Sequence, residues 1–387
     1  MKLRKLLYSS LLCSMALTLG ACSEDDLSES IFDTDIPVYE EGTASYKLDK
    51  WLAQNYLDVY NLDFRYRMED VGADMNFNLV PASLDNSIDM AVLTKYLWFD
   101  VYKKVVNPDF LKQYGPRIIH LIGSPAFNPA NGTVVLGLAE GGIKVTLFRV
   151  NYMDLTDFNQ LNEFYFKTMH HEFSHILHQT KTYPKEFNTL STANYDPFGW
   201  QDRNGAIALT LGFMTSYGSS QPREDFAETI ANFITKTPEQ WELMQWVAEH
   251  EWTEVDSKTL KKDAYCFYYY EDENAKQNDV KTNIGRFIDS NNMFAIEGME
   301  RIEVIKDDKG NESYKLKGSD IPVYAYGVKG SLDKVDGKEV LLQKVDIARQ
   351  WFKDAWGMDL DKLREEVQYR QTHIDIDALR AEVENIQ

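Results

Sequence analysis

Residues 169–179 read MHHEFSHILHQ, and this short stretch holds four of the seven histidines in the 387-residue chain. Within it, His171, Glu172 and His175 have the spacing H-E-x-x-H. Histidines four positions apart lie on one face of a helix, where both imidazoles can bind the same metal ion. A glutamate directly after the first histidine then lies beside the metal, where it can act as a general base. The stretch therefore predicts a zinc (Zn²⁺) site with His171 and His175 as ligands and Glu172 as a catalytic residue.

The residues around this motif predict its structural setting. Apolar residues at helical spacing predict one helix from Phe158 to Gln179. Before that helix, runs rich in aliphatic residues at 117–122, 133–136 and 143–150 predict a small sheet. The run 143–150 has two interpretations, an edge strand that pairs with an extended substrate or an ordinary half-buried strand. The aromatic-rich loop 182–203 is a candidate for part of the substrate cleft.

The rest of the chain predicts a mainly helical C-terminal part. Periodic patterns predict helices over 224–235, 238–249, 260–270, 282–288, 339–356 and 360–367. Residues 301–306 and 313–317, joined by a turn-forming segment, predict a hairpin. The predicted fold class is therefore α+β, with a small mixed sheet, a helix that carries the HExxH motif and a mainly helical C-terminal part.

Two histidines leave a catalytic zinc ion one protein ligand short, because such sites use three protein ligands and a water. The metzincin continuation is excluded, because Lys181 stands where its third histidine would fall. His178, one turn beyond His175, is one alternative for the third ligand. Glu224 is the stronger candidate, and Glu228 lies one turn later on the same predicted helical face.

The segment around Glu224 resembles the arrangement in gluzincin peptidases. That resemblance implies that Glu224 is the third zinc ligand and that Glu228 holds a ligand histidine, His171, by its free N–H. A solvated acidic helix face is the alternative interpretation of the two glutamates. Tyr217 lies seven residues before Glu224, a spacing similar to that of the transition-state tyrosine in peptidases of the anthrax lethal-factor type. A packing tyrosine is the alternative there.

The N-terminus predicts export and lipid attachment. A basic start is followed by an apolar run too short to span a membrane, and residues 19–22 read LGAC. This tetrapeptide resembles the bacterial lipobox, which implies that Cys22 is acylated. We therefore expect a signal peptide at 1–21, a flexible acidic tether at 22–44 and one folded domain at 45–387.

Charge and cysteine content exclude other classes. The formal net charge is −20, and such a surface repels nucleic acid, so no nucleic-acid partner is expected. Cys266 is the one cysteine outside the signal peptide and the predicted lipid attachment site. A single thiol forms no internal disulfide, and its aromatic neighbours favour a buried apolar residue over a nucleophile.

Four phrases extend the resemblance over most of the chain. They are GTVVLGLAEGGIKVTLFRVN at 132–151, MHHEFSHILHQ at 169–179, GFMTSYGSSQPREDFAE at 212–228 and ARQWFKDAWGMDLDKLREEV at 348–367. These phrases resemble the Bacteroidetes substrate import-associated zinc metallohydrolase lipoproteins.

This resemblance implies a zincin-like metallopeptidase fold and a lipoprotein of the outer membrane, on its cell surface or its periplasmic face. It further implies an association with a TonB-dependent import complex. Hydrolysis of a peptide or glycopeptide substrate is the predicted activity. The alternative function is that of a non-catalytic, zinc-containing substrate-binding lipoprotein of an import system.

Overall fold

The structure is a computed structural model, and parts of the chain lie outside what it describes. The described residues are 41–68, 78–127, 134–135, 137–140, 143–203, 205–249, 251–254, 266–269, 286–289, 295–297, 302–310, 312–316, 322–329 and 335–386. The predicted signal peptide, Cys22 and most of the predicted tether lie outside these residues and stay predictions. The chain divides between Tyr46 and Lys47 into two units, and every contact given below lies within the second. Among the described residues, no helix has the length and apolar character needed to cross a lipid bilayer.

A small mixed sheet precedes the motif. Its strands are β1 (Asp63–Arg65), β2 (Ile118–Leu121), β5 (Gly137–Glu140) and β6 (Lys144–Leu147), in the order β1-β2-β6-β5. The strands β1, β2 and β6 are parallel, while β5 runs antiparallel to β6. The two-residue strands β3 (Ala126–Phe127) and β4 (Val134–Val135) form a separate antiparallel pair.

The prediction of a small mixed sheet is confirmed, but the edge-strand interpretation of 143–150 is wrong. The strand β6 pairs with β2 on one side and with β5 on the other, so both of its backbone edges are engaged within the sheet. Periodicity along one strand cannot distinguish an inner strand from an edge strand, because both alternate side chains between two faces.

Helices make up most of the remaining described structure. In chain order the α-helices are Tyr46–Leu52, Asp58–Tyr60, Leu84–Thr94, Asp100–Val105, Phe110–Tyr114, Phe158–Leu161, Lys167–Thr180, Glu186–Thr189, Gly205–Thr210, Pro222–Thr235, Pro238–Ala248, Gly337–Trp356, Leu360–Gln371 and Ile376–Glu384. Three one-turn π-helical segments, Ala53–Leu57, Lys95–Phe99 and Asn162–Phe166, continue the helices before them. With the sheets, these helices confirm the α+β class.

Three of these helices form and support the site. The motif helix is Lys167–Thr180, the glutamate helix is Pro222–Thr235 and the long helix is Gly337–Trp356. The glutamate helix packs against both of the others, and the motif helix lies next to β5. The motif helix is therefore held between the sheet and the helical C-terminal part.

Local sequence explains where the helical run that leads into the motif helix begins and why the motif helix is buried. Asp157 caps the preceding turn by accepting hydrogen bonds from the backbone N–H groups of Asn159 and Gln160, at 3.0 Å each. On the side away from the histidine pair, Phe173 is fully buried and its ring contacts the rings of Trp98 and Tyr102. Burying such large side chains fixes the helix against the core.

A second sheet lies in sequence between the glutamate helix and the long helix. Its strands are β7 (Glu251–Glu254), β8 (Cys266–Tyr269), β9 (Arg286–Asp289), β10 (Ala295–Glu297), β11 (Ile302–Lys306), β12 (Glu312–Leu316) and β13 (Pro322–Lys329). The predicted hairpin is confirmed, because β11 and β12 pair antiparallel. The predicted helices 260–270 and 282–288 are wrong where the structure describes them, since β8 and β9 are strands. Clusters of aromatic and β-branched residues favour strands even when their spacing also fits a helix.

Candidate metal centre

The motif helix and the glutamate helix bring three potential ligand atoms to one point. His171 Nε2 lies 3.1 Å from His175 Nε2 and 3.2 Å from Glu224 Oε2, and His175 Nε2 lies 3.1 Å from the same oxygen. Tetrahedral zinc with bonds of about 2.0 Å separates its ligand atoms by about 3.3 Å. Two ring nitrogens and a carboxylate oxygen at these separations fit a zinc ion, and they are the donor types that zinc prefers.

Glu172 lies beside the same point. Its carboxylate belongs with His171 and His175 to a group whose ligand atoms all lie within 4.8 Å of one another and could hold a metal ion. The side chain is buried. Burial raises the pKa of Glu172, and the neighbouring His171 and His175 partly oppose that rise. The structure therefore places a carboxylate with raised basicity next to the predicted metal position.

The start of the glutamate helix positions Glu224. Gln221 has an extended backbone, and Pro222 occupies the first helical turn, where its missing N–H leaves no intrahelical bond unmade. The Gln221 side chain donates a hydrogen bond of 3.2 Å to Glu224 Oε1. Oε2 is left to face the two histidines. Burial would raise the pKa of Glu224, but the hydrogen bonds with His171 and His175 hold it well below its usual range.

Glu228 lies one turn later and orients His171. Its Oε1 lies 2.8 Å from His171 Nδ1, while its Oε2 accepts a hydrogen bond of 2.7 Å from the Thr215 hydroxyl. Burial would raise the pKa of Glu228, but Lys167 and His171 outweigh it and lower the pKa to about 2. For His171 the directions are reversed. Burial would lower its pKa, but its contacts with Glu224 and Glu228 raise the pKa to about 10. Glu228 is therefore an anion that fixes the His171 ring.

His178 contacts the ring nitrogen of His175 that does not face His171 and Glu224. Its Nε2 lies 2.9 Å from His175 Nδ1, so the His178 ring meets the nitrogen that points away from Glu224. Burial and the nearby His175 lower the pKa of His178 to about 4, which keeps its ring neutral near pH 7. The structure thus places Glu224, rather than His178, with the two motif histidines.

Tyr217 also reaches this group. It begins a short 3₁₀ turn, Tyr217–Ser220, and the Glu224 carboxylate lies near its hydroxyl. Its ring centroid lies 5.9 Å from that of His171, and the side chain is 38% exposed. Burial and the Glu224 carboxylate raise the pKa of Tyr217, so its hydroxyl stays protonated and can donate a hydrogen bond.

The predicted cleft loop has two kinds of aromatic residue. Phe187 is fully buried, and the half-buried Tyr195 donates a hydrogen bond of 2.7 Å to Asp225 Oδ2. In contrast, Phe198 is 96% exposed, and Trp200 packs edge-on against Tyr217 with ring centroids 4.9 Å apart. Trp200 extends the site outward, while Phe187 and Tyr195 support it from within.

Comparison with known proteins agrees with this geometry. The family described as "Putative zinc-binding metallo-peptidase" matches residues 41–278. The chain belongs to this family. A crystal structure of a metallo-peptidase with that same description, from Bacteroides caccae ATCC 43185, is 33% identical over 86% of this chain and 95% of that chain, with a TM-score of 0.56. No protein with a curated description matches the chain.

Membership of this metallo-peptidase family does not by itself explain two contacts that the sequence analysis missed. Thr215 holds Glu228 and Gln221 holds Glu224, yet neither residue stands out by type or spacing. Both precede the glutamate helix within the phrase 212–228. The one feature of the sequence that could have indicated them is the position of a hydroxyl and an amide side chain just before a helix that carries two glutamates.

Proposed function

We propose that this protein is a zinc-dependent peptidase whose metal is held by His171, His175 and Glu224. The observation that carries the proposal is the triangle of two histidine nitrogens and one glutamate oxygen, each pair 3.1–3.2 Å apart, with the Glu172 carboxylate beside it. Three protein ligands leave a tetrahedral ion one position for water or substrate, which is the composition of a catalytic site.

A zinc ion in this triangle would act as a Lewis acid that makes water more acidic and polarises a substrate carbonyl. Glu172 is the residue that accepts the proton of the attacking water. It then returns that proton to the leaving amine, so one carboxylate serves as base and acid in turn.

Tyr217 is proposed to donate its hydroxyl proton in a hydrogen bond to the oxyanion that develops on the carbonyl oxygen. Burial and the Glu224 carboxylate raise the pKa of this hydroxyl, so it stays protonated and is available as a donor to substrate. A donor already aimed at the developing charge lowers the barrier, because little reorganisation is needed during the reaction.

The non-catalytic binding protein is the less favoured alternative. A structural zinc site is closed by four protein ligands, and this alternative requires His178 among them. The distance of 2.9 Å between His178 Nε2 and His175 Nδ1 supports an orienting contact for His178 instead. A buried Glu172 beside the ligands also favours hydrolysis, because a structural site has no use for a free carboxylate there.

The test compares the wild type with Glu172→Gln and Glu224→Gln, with Glu365→Gln as a surface control. Bound metal is quantified, and a library of peptides and glycopeptides is screened for cleavage. We expect one zinc ion per chain in the wild type, its retention in Glu172→Gln, and its loss or weakening in Glu224→Gln. Cleavage is expected from the wild type and the control. Full zinc binding by the wild type without cleavage of any library member would favour the binding protein instead.

We further propose that lipidated Cys22 anchors the protein to the outer membrane, where it serves a TonB-dependent import complex by hydrolysing peptides or glycopeptides. The lipobox-like residues 19–22 and the acidic start of the tether support this proposal. Radiolabelled fatty acid should be incorporated into the wild type but not into Cys22→Ala, which should leave the membrane fraction. Equal labelling of both proteins would contradict it.

A further inference from the structure

A buried ion pair lies directly behind the glutamate helix. Lys344, on the long helix, places its Nζ 2.6 Å from Asp225 Oδ2. Both side chains have no exposed surface. Lys344 Nζ also donates a hydrogen bond of 2.6 Å to the Gly212 carbonyl, and the ring of Phe213 lies 4.2 Å from the same nitrogen. Lys344 lies beyond the family-matched range 41–278.

The long helix approaches this region closely enough for Lys344 to reach it. Gly212 has φ +81°, and a Cβ placed on it would lie 2.3 Å from Val340 on the long helix. A Cβ on Gly337 would lie 2.5 Å from the Leu209 carbonyl. Two glycines therefore allow the long helix to pack directly on the segment 209–212.

Stability alone does not account for this pair. Burial opposes charge on both partners, raising the pKa of Asp225 and lowering that of Lys344 despite their mutual attraction. A fully buried ion pair usually contributes little net stability compared with apolar residues of the same size. The ion pair does fix the positions of the groups that it joins. The segments that carry those groups show which part of the protein is positioned.

Three segments around the metal centre meet at Lys344 and its partner Asp225. Asp225 directly follows the ligand Glu224 on the glutamate helix. Gly212 begins the segment that leads to Thr215 and Tyr217. The third segment is the loop 182–203, because Tyr195 donates its hydroxyl proton to the same Asp225 oxygen that Lys344 contacts.

We propose that Lys344 is a positioning residue for the metal centre, which through Asp225 and the Gly212 carbonyl sets the placement of Glu224, Thr215 and Tyr217. This inference rests on the proposed zinc site. Lys344 itself contacts neither substrate nor metal ligand atoms. It acts by fixing the backbones that carry them, as supporting contacts around a metal site commonly do.

The test uses Lys344→Met, which keeps an unbranched side chain one atom shorter but removes its charge, and Tyr195→Phe, which removes a single hydrogen bond to Asp225. Lys353→Met is the matched control, because Lys353 is a lysine of the same long helix whose side chain is exposed. Zinc affinity is measured by competition with a chromophoric chelator, and ligand geometry by the visible absorption of the Co²⁺-substituted proteins.

We expect Lys344→Met to weaken zinc binding about tenfold or more and to change the Co²⁺ spectrum. Tyr195→Phe should act in the same direction with a smaller effect, and Lys353→Met should stay within about twofold of the wild type. In the metal-free proteins, amide hydrogens of 212–220 should exchange faster in Lys344→Met than in the control, a readout that is independent of activity.

Wild-type affinity and an unchanged Co²⁺ spectrum in both Lys344→Met and Tyr195→Phe would overturn the positioning role. If Lys344→Met does not fold, Tyr195→Phe decides, because it removes one hydroxyl at a half-buried position. Failure of the wild type itself to bind zinc would overturn the proposed function, whereas a zinc-binding wild type with unaffected variants would overturn only the role of Lys344.

Discussion

Both ring nitrogens of His171 and of His175 lie close to polar atoms, but the partners of their Nδ1 atoms differ. His171 meets the carboxylate of Glu228, whereas His175 meets the neutral imidazole of His178. A carboxylate partner makes an imidazole more basic and holds it more firmly than a neutral partner does. His171 is therefore the more strongly held of the two proposed ligands.

The first residue-scale prediction concerns Glu228. Glu228→Gln keeps the size of the side chain but removes the charge that fixes His171, so zinc affinity should fall by about 10- to 100-fold. Competition with a chelator measures the affinity, and the exposed Glu365→Gln serves as control. An unchanged affinity would show that Glu228 contributes packing rather than orientation.

The second residue-scale prediction concerns Tyr217. Tyr217→Phe should lower kcat by roughly 100-fold, because one donor to the developing oxyanion is lost. Its zinc content should equal that of the wild type. Tyr152→Phe, on a side chain that is 60% exposed, is the matched control. A wild-type kcat in Tyr217→Phe would assign this tyrosine to packing against Trp200.

At the scale of single elements, the sequence predicted helices better than strands. The helices around His171, Glu224 and Lys344 follow from long apolar periodicity, and the structure has them at nearly the predicted positions. The predicted helices 260–270 and 282–288 were wrong at their described residues, because short aromatic runs fit both periods and strand pairing joins residues that are distant in sequence. The position of β6 inside the sheet also depends on its pairing with β2 and β5. The residues of β6 alone do not indicate that position.

Pairing between elements leads to a pH prediction. Glu366, on the helix Leu360–Gln371, accepts hydrogen bonds from Lys104 at 2.5 Å and from Arg370 at 2.7 Å. Burial would raise the pKa of Glu366, but these two cations outweigh it and lower the pKa. A lowered pKa in the folded state means that the ionised form stabilises the fold above the unfolded pKa of about 4.3, and that this stabilisation disappears as the pH falls through the folded value.

Glu366→Gln should therefore reduce the free energy of unfolding by about 1 kcal/mol at pH 7. The difference from the wild type should shrink as the pH is lowered from the unfolded pKa through the lower folded pKa of Glu366. Urea unfolding at a series of pH values measures this difference, with Glu365→Gln as the neighbouring control. A difference that stays constant with pH would assign the effect to packing instead.

For the whole molecule, the sequence yielded the fold class and the motif pair but not the full support of the site. His171, Glu172 and His175 lie within one helical turn and could be found from their spacing. Glu224 is 49 positions from His175, and a resemblance was needed to select it. Lys344 could not be found at all, because a lysine within an amphipathic helix looks like a surface residue until the helix is packed.

Metal removal should destabilise the whole fold. In the proposed site, zinc would join two helices that carry three acidic groups near one point, so its binding would favour the folded state by mass action. The gain is about 2.7 kcal/mol at a free zinc concentration of 100 times Kd. Thermal unfolding with added zinc and with chelator should give a higher Tm with zinc in the wild type and in Glu172→Gln. The shift should be absent in Glu224→Gln, and an equal shift there would argue against Glu224 as a ligand.

The bond between Lys344 and the Gly212 carbonyl joins positions that are 132 residues apart. A growing chain that has released the HExxH motif, Glu224 and Tyr217 from the ribosome still lacks the cation that brings their backbones into place. If Lys344 has the proposed role, the metal centre reaches its final placement only after synthesis of the long helix. An unfinished chain would then bind zinc more weakly than the finished protein, so its hydrolytic activity would rise late in synthesis.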